Sequence, residues 1–200
     1  MAKTCFILIL ASCIWLTGCA TYQAMPLTAL DPEYVSTEQD GLAIGCKAFS
    51  KYECLTYLDR DLLKKGYQPI QLSFHNRTDK SYAFSIYDVT LPCTTVEDVT
   101  KTVHTSTAGR MTSYTLGSLF LYPLIIPAIV DGIRSSNANA ALDQDFLNKS
   151  KDHFEILPHS FHKTLIFIPR KHFQPQFDFT LREPATGERT IITVSTMREL

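Results

Sequence analysis

Residues 70–86 have the sequence IQLSFHNRTDKSYAFSI, in which apolar and polar residues alternate in two runs. Apolar residues occupy every second position from Ile70 to Phe74 and again from Tyr82 to Ile86. This period of two is typical of strands with one buried face. Because a polar stretch separates the two runs, the sequence predicts a β-hairpin here.

Strand patterns return later in the chain. Alternating or continuous apolar residues occur at 154–157, 165–168, 177–181 and 190–195. About five to seven short strands joined by turn residues are typical of two packed antiparallel sheets. We therefore expect a mainly β protein with helices, of the α+β class, built as an immunoglobulin-like β-sandwich.

A helix is predicted before the first strand, over about residues 51–65. Apolar residues recur there at spacings of three and four, from Tyr52 to Leu62. Lysines occupy the last turn, and Gly66 supplies a C-terminal cap. The pattern predicts a short helix that leads into the sheets.

The long interruption between the strand blocks, residues 95–149, is expected to form an inserted antiparallel helical hairpin. Residues 111–130 carry no charge, but Pro123 and Pro127 disfavour one straight helix. We therefore place a turn near Tyr122. Small residues recur at every fourth position of each arm, a spacing that lets two helix backbones approach closely.

The tip of this predicted hairpin is apolar on all sides. Such a surface has to be covered by the domain itself, by lipid or by another protein. The candidate partner- or membrane-contacting residues at the tip are Leu119, Phe120, Leu121, Tyr122, Leu124 and Ile125.

The amino terminus predicts a targeting segment. Lys3 is followed by an uncharged apolar run that is too short to span a bilayer. The run ends in Leu16-Thr17-Gly18-Cys19, which resembles the lipobox of bacterial lipoproteins. The resemblance covers only this leader. It implies that residues 1–18 are a signal peptide and that Cys19 becomes the lipidated first residue.

This resemblance implies an envelope protein anchored to a membrane by lipid on Cys19, and no other cofactor is expected. Ala20 follows the cysteine, and similarity to enteric lipoproteins favours the outer membrane, facing the periplasm. Residues 19–45 contain prolines and glycines without a sustained period, so we expect a lipidated cysteine and a tether. A single domain is then expected over residues 46–200.

Three further cysteines belong to the mature chain: Cys46, Cys54 and Cys93. Because an oxidising compartment favours disulfides, one bridge and one leftover thiol are expected. A continuous helix would hold Cys46 and Cys54 about 12 Å apart, so pairing them requires a helix to start between them. The alternative joins one of them to Cys93.

Composition and motifs argue against nucleic-acid binding and catalysis. The chain has 19 basic and 20 acidic residues and no basic block, so nucleic acid is not an expected partner. It also lacks a nucleophile elbow, a phosphate-binding loop and a zinc-protease motif. We therefore assign no catalytic residue and no metal ligand.

The expected function is a structural or a protein- or lipid-binding role in the bacterial envelope. Membrane lipid is the expected partner through Cys19, and the bilayer or another envelope protein through the hairpin tip. The alternative is an envelope hydrolase or metal-dependent enzyme that uses the histidines between His153 and His172. Their spacing matches no closed zinc site.

Overall fold

The structure, a computed structural model, describes residues 22–104 and 125–196. Over these ranges the protein is a strand-rich α+β protein with two antiparallel sheets and three α-helices. The strands are β1 (Val35–Gln39), β2 (Leu42–Ala48), β3 (Tyr67–Asn76), β4 (Tyr82–Ser85), β5 (His153–Ile156), β6 (Ser160–Pro169), β7 (Gln176–Arg182) and β8 (Arg189–Ser195). The helices are α1 (Lys51–Leu58), α2 (Val96–Val103) and α3 (Ile125–Lys149).

One compact unit contains residues 23–103 and residues from 143 onward, and it holds both sheets. Residues 125–142 of α3 belong to a second unit. The strand order is β1-β2-β3-β6 in the first sheet and β5-β4-β7-β8 in the second.

The two strands predicted in residues 70–86 are present, but the prediction that they pair as a hairpin is wrong. β3 pairs with β2 and β6 in the first sheet, whereas β4 pairs with β5 and β7 in the second. The polar residues between them carry the chain from one sheet to the other. Phe74 of β3 and Phe84 of β4 face each other in the core, with ring centroids 5.7 Å apart. The alternation therefore identified the residues that face the core between the sheets, but it did not identify which strands pair.

The core lies between the inner faces of the two sheets. β3 at the centre of the first sheet is buried on both faces, unlike the half-exposed strand that its sequence predicted. The fully buried side chains of this core include Ile44, Ile70, Leu72, Phe74, Ile156, Phe179 and Leu181. The end of α3, residues 143–149, lies on the outer face of the first sheet, where the ring of Phe146 stacks on the ring of Phe167 with centroids 5.9 Å apart.

The tether predicted over residues 19–45 does not extend that far. β1 and the start of β2 form a hairpin, in which Gln39 pairs with Leu42 across a two-residue turn. The turn residues Asp40 and Gly41 both have positive φ, 49° and 86°. An Asp-Gly pair favours this turn, since such turns match the twist of the flanking strands.

The helix predicted over residues 51–65 is α1, which ends at Leu58. Asp59 adopts a left-handed conformation (φ 51°, ψ 24°), and its amide N donates to the carbonyl O of Leu55 at 3.1 Å. Arg60 binds the carbonyl and carboxylate oxygens of Asp59 at 2.6 and 2.8 Å. These contacts stabilise an early helix end, and bends and turns follow up to β3.

The predicted helical hairpin over residues 95–149 is only partly described. α2 and α3 lie at its two ends, and α3 covers most of the predicted second arm. The first arm and nearly all of the tip lie outside the described residues. Among residues 22–104 and 125–196, no helix is long and apolar enough to span a membrane.

Candidate functional site

The segment that follows the predicted lipid anchor is bound to the domain along its length. We call residues 23–31 the strap. The amide N of Gln23 donates to Asp59 Oδ2 at 3.2 Å, and the amide N of Met25 donates to the carbonyl O of Thr56 at 2.9 Å. The start of the strap is therefore fixed to the last turn and the C-terminal end of α1.

The middle of the strap lies against the first sheet. Leu27 is buried, and its carbonyl O accepts a hydrogen bond from Lys163 Nζ at 2.5 Å. The carbonyl O of Thr28 accepts one from Gln71 Nε2 at 2.8 Å. These bonds join the strap to β6 and β3, so the strap crosses both strands.

Gly45 in β2 allows the strap to approach closely. A Cβ atom at this position would lie 3.2 Å from Leu30 Cδ1 and 3.2 Å from the carbonyl O of Tyr34. The absence of a side chain at Gly45 thus lets Leu30 pack on the backbone of the sheet.

A pocket of about 220 Å³ lies between the strap, α1 and the first sheet, and an ion pair lines it. Lys47 Nζ lies 2.6 Å from Glu53 Oε1 and 4.3 Å from the ring centroid of Tyr34. Burial disfavours the charge of Lys47, but hydrogen bonds to Glu53 and Tyr34 outweigh it, so the pKa of Lys47 is raised. Glu53 also accepts from the backbone N of Ser50 at 2.8 Å, which completes a capping box at the start of α1. The polar groups therefore position α1 and bind one another.

A larger cleft of about 820 Å³ lies at the other end of the sheets. It is formed by the β1–β2, β3–β4 and β7–β8 turns, and we call it the charged cleft. β2 begins at this cleft with Leu42 and ends with Ala48, whereas α1 begins at Lys51. A strand of this length spans about 20 Å, so α1 begins about 20 Å from the charged cleft, beyond the other end of β2.

The charges in this cleft are largely paired. Lys80 Nζ lies 2.9 Å from Glu183 Oε2 and 4.0 Å from Glu188 Oε2. The hydrogen bond to Glu183 raises the pKa of Lys80. Arg77 pairs with Glu38 at 3.0 Å. Because both acidic and basic groups line the cleft, it suits a polar ligand of mixed charge better than a simple anion or cation.

The buried amide of Asn76 fixes the β3–β4 turn, one of the three turns that form the cleft. Its Nδ2 donates to the carbonyl oxygens of Lys80 and Leu157 at 2.7 and 2.9 Å. Its Oδ1 accepts from the backbone N and the hydroxyl of Thr78 at 3.0 and 2.7 Å. One side chain therefore joins the β3–β4 turn to the β5–β6 loop.

The histidines considered for catalysis do not form a cluster. His159 Nε2 lies 2.8 Å from Asp79 Oδ1 at the cleft rim, but both side chains are exposed to water. His162 stacks on Phe154 at 4.0 Å, and burial lowers its pKa. His153 and His172 are exposed. In the part of the chain that the structure describes, no three His, Cys, Asp or Glu residues are grouped to hold a metal ion.

The expected disulfide is not formed in the structure. Cys46, Cys54 and Cys93 are all free thiols. Cys46 belongs to the core between the sheets and Cys93 packs against it, whereas Cys54 is buried in α1 outside that core. Burial raises the pKa of all three, to about 11 for Cys54 and about 12 for Cys93.

We expect these thiols to react slowly in the native protein. A raised pKa leaves little thiolate at pH 8, and the thiolate is the reactive form. Iodoacetamide should therefore label Cys46, Cys54 and Cys93 only after urea is added, as mapped by mass spectrometry without reductant. A pair that stays unlabelled in urea until it is reduced would instead reveal a disulfide.

The sequence-predicted site residues at the amino terminus and the hairpin tip are not placed. Cys19 lies outside the described residues, as do Leu119, Phe120, Leu121, Tyr122 and Leu124. Ile125 is the first residue of α3. The strap and the charged cleft were not predicted from the sequence, although the Asp40-Gly41 pair is a local signal for one of the cleft's turns.

No model of a protein family, no curated protein and no solved structure matches this chain.

Proposed function

We propose that this protein is a lipid-anchored lipoprotein of the bacterial envelope whose domain has a structural or binding role. The lipobox-like sequence ending in Cys19 supports the anchor. The strap is the observation that carries the proposal, because it binds to the domain only four residues after this cysteine. A chain segment fixed so close to a lipid site transmits the position of the anchor to the whole domain.

The short connection distinguishes this arrangement from a flexible tether. Four residues span at most about 14 Å when fully extended. The domain is therefore held against the membrane surface rather than suspended far from it. Such positioning suits a protein that acts on a partner in or beside the same membrane.

The finer architecture belongs to the same proposal. The two sheets with a shared core are consistent with an immunoglobulin-like β-sandwich, and α3 is consistent with the second arm of an inserted helical hairpin. The apolar tip of that hairpin is a second candidate contact with the bilayer or an envelope protein. Ala20 favours the outer membrane as the site of the anchor.

The charged cleft is the candidate binding site of the domain. Its paired charges and its exposed apolar residue Ile191 offer hydrogen bonds and an apolar contact to a polar ligand. Binding would need partial exchange of the ion pairs that Lys80 makes with Glu183 and Glu188.

The experiment that tests the anchor is the Cys19→Ser substitution in bacteria grown with radioactive palmitate. We expect the variant to lose the label and its processing, because the serine hydroxyl does not accept the thioether-linked lipid. Cys13→Ser, a change within the leader, is the matched control and should keep the label. Palmitate labelling that persists in Cys19→Ser would overturn the proposal.

A further inference from the structure

We infer that one exposed apolar surface of the domain rests on the phospholipid surface that carries the anchor. This surface, the α1 surface, consists of Met25, Tyr52 and Leu55. The inference rests on the proposed lipidation of Cys19 and adds the orientation of the domain to it.

The short reach of the chain limits the distance between the anchor and α1. Gln23 is bonded to Asp59, the residue that ends α1. Since Cys19 precedes Gln23 by four residues, an anchor on Cys19 enters the bilayer within about 14 Å of this point. The α1 end of the domain therefore lies next to the membrane, whatever its tilt.

The outer side of α1 carries exposed side chains that suit a lipid surface. Cys54 and Leu58 form its buried side, whereas Tyr52 and Leu55 lie on its outer side and are 76% and 46% exposed. Met25 is 58% exposed, and its amide binds the carbonyl O of Thr56 in the same helix. Tyrosine is enriched where proteins meet the lipid headgroups, because its ring is apolar and its hydroxyl is polar.

Exposed lysines lie at the start of α1 and in the segment that follows it. Asp61 Oδ2 lies 3.6 Å from Lys51 Nζ, and Asp61 Oδ1 accepts a hydrogen bond from the backbone N of Lys64 at 3.0 Å, so the segment after α1 lies near the start of the helix. Lys51, Lys64 and Lys65 are all exposed. Lysines beside an apolar surface attract anionic lipid headgroups. The partner that we infer for the α1 surface is therefore a phospholipid surface that contains anionic lipid.

The orientation has a consequence for the charged cleft. Because the cleft lies at the opposite end of β2 from α1, it faces away from the membrane and opens into the aqueous compartment. A ligand of the cleft would then be a soluble molecule, or part of a partner protein that extends into the same aqueous compartment.

The orientation can be tested with single tryptophans in the processed full chain. The only tryptophan, Trp15, lies in the leader, so Tyr52→Trp and Ile191→Trp each place one fluorophore in the mature protein. The two positions are similarly exposed, 76% and 69%, and lie at the α1 surface and at the cleft. The lipidated proteins are inserted into vesicles of phosphatidylethanolamine and phosphatidylglycerol, with and without brominated phospholipid.

We expect brominated lipid to quench the tryptophan of Tyr52→Trp at least twofold and that of Ile191→Trp hardly at all. Leu55→Trp should behave like Tyr52→Trp, which guards against a local effect at one position. Equal quenching at both ends, or none at either, in chains that float with the vesicles would overturn the orientation. A blue-shifted but unquenched signal at Tyr52→Trp would instead mean that protein, such as a second copy, covers the α1 surface. Failure to float with the vesicles would overturn the anchor itself.

Discussion

Replacing Phe74 by alanine is expected to lower the free energy of unfolding by about 3–5 kcal/mol. The Phe74 side chain is fully buried in β3. Its ring centroid lies 5.7 Å from those of Phe84 and Phe154 and 6.1 Å from that of Phe179. These partners belong to β4, β5 and β7, so Phe74 is the first sheet's contribution to an aromatic cluster that joins both sheets.

The loss follows from the cavity and from the lost ring contacts. A phenylalanine removed from such a site leaves space that rigid strands fill only in part, and aromatic pairs add about 0.5–1.5 kcal/mol beyond buried area. Urea denaturation followed by circular dichroism measures the change. Since domains of this size are commonly stable by about 5–15 kcal/mol, the variant should unfold at a much lower urea concentration.

Phe161→Ala is the matched control for this prediction. Phe161 lies on the neighbouring strand β6 but is 50% exposed, so its loss should cost less than about 1 kcal/mol. Similar urea midpoints for the two variants would show that the aromatic cluster does not hold the sheets together.

The strands could be predicted from the sequence, but their partners could not. Alternation in residues 70–86 identified the inward residues of β3 and β4, because burial of one face leaves a period of two. It carries no information about which strand lies alongside. β3 pairs with β6, about ninety positions later in the chain, so the pairing depends on contacts that a local pattern does not contain.

The strap was not predictable because its partners are distant in sequence. Residues 23–31 form no regular element, and the side chains that bind its carbonyl groups belong to Gln71 and Lys163. An extended segment held in this way needs no hydrophobic period, so Pro26 and the lack of a pattern favoured a tether. Leu27 is buried and Leu30 packs on Gly45, but two apolar residues form no period that would distinguish a docked segment from a tether.

The charged cleft was not predictable for the same reason, because its residues are distant in sequence. It is made by three turns that folding brings together, and the pair between Lys80 and Glu183 joins residues 103 positions apart. Turn residues such as Asp40-Gly41 were visible in the sequence, whereas their convergence at one end of the sheets was not. The end of α1 was predicted too late in the chain, because the left-handed Asp59 ends the helix before Gly66.

Asn76→Ala is expected to lower the free energy of unfolding by about 3 kcal/mol and to loosen the charged cleft. The side chain is fully buried and makes four hydrogen bonds to two separate loops. Alanine would leave the carbonyl oxygens of Lys80 and Leu157 without these donors. Hydrogen exchange should therefore accelerate in residues 77–81 and 157–160 more than in the rest of β3.

Two further variants separate the hydrogen bonds from mere loss of volume. Asn76→Asp has nearly the same size and keeps the acceptor for Thr78, but its carboxylate cannot donate to the carbonyls of Lys80 and Leu157. It should therefore destabilise the protein about as much as alanine does, since a buried charge next to two carbonyl oxygens is repelled. Asn148→Ala removes an exposed asparagine of α3 and should cost less than about 0.5 kcal/mol. If Asn76→Asp were as stable as the unmodified protein, the two donated bonds would not be what joins the β3–β4 turn to the β5–β6 loop.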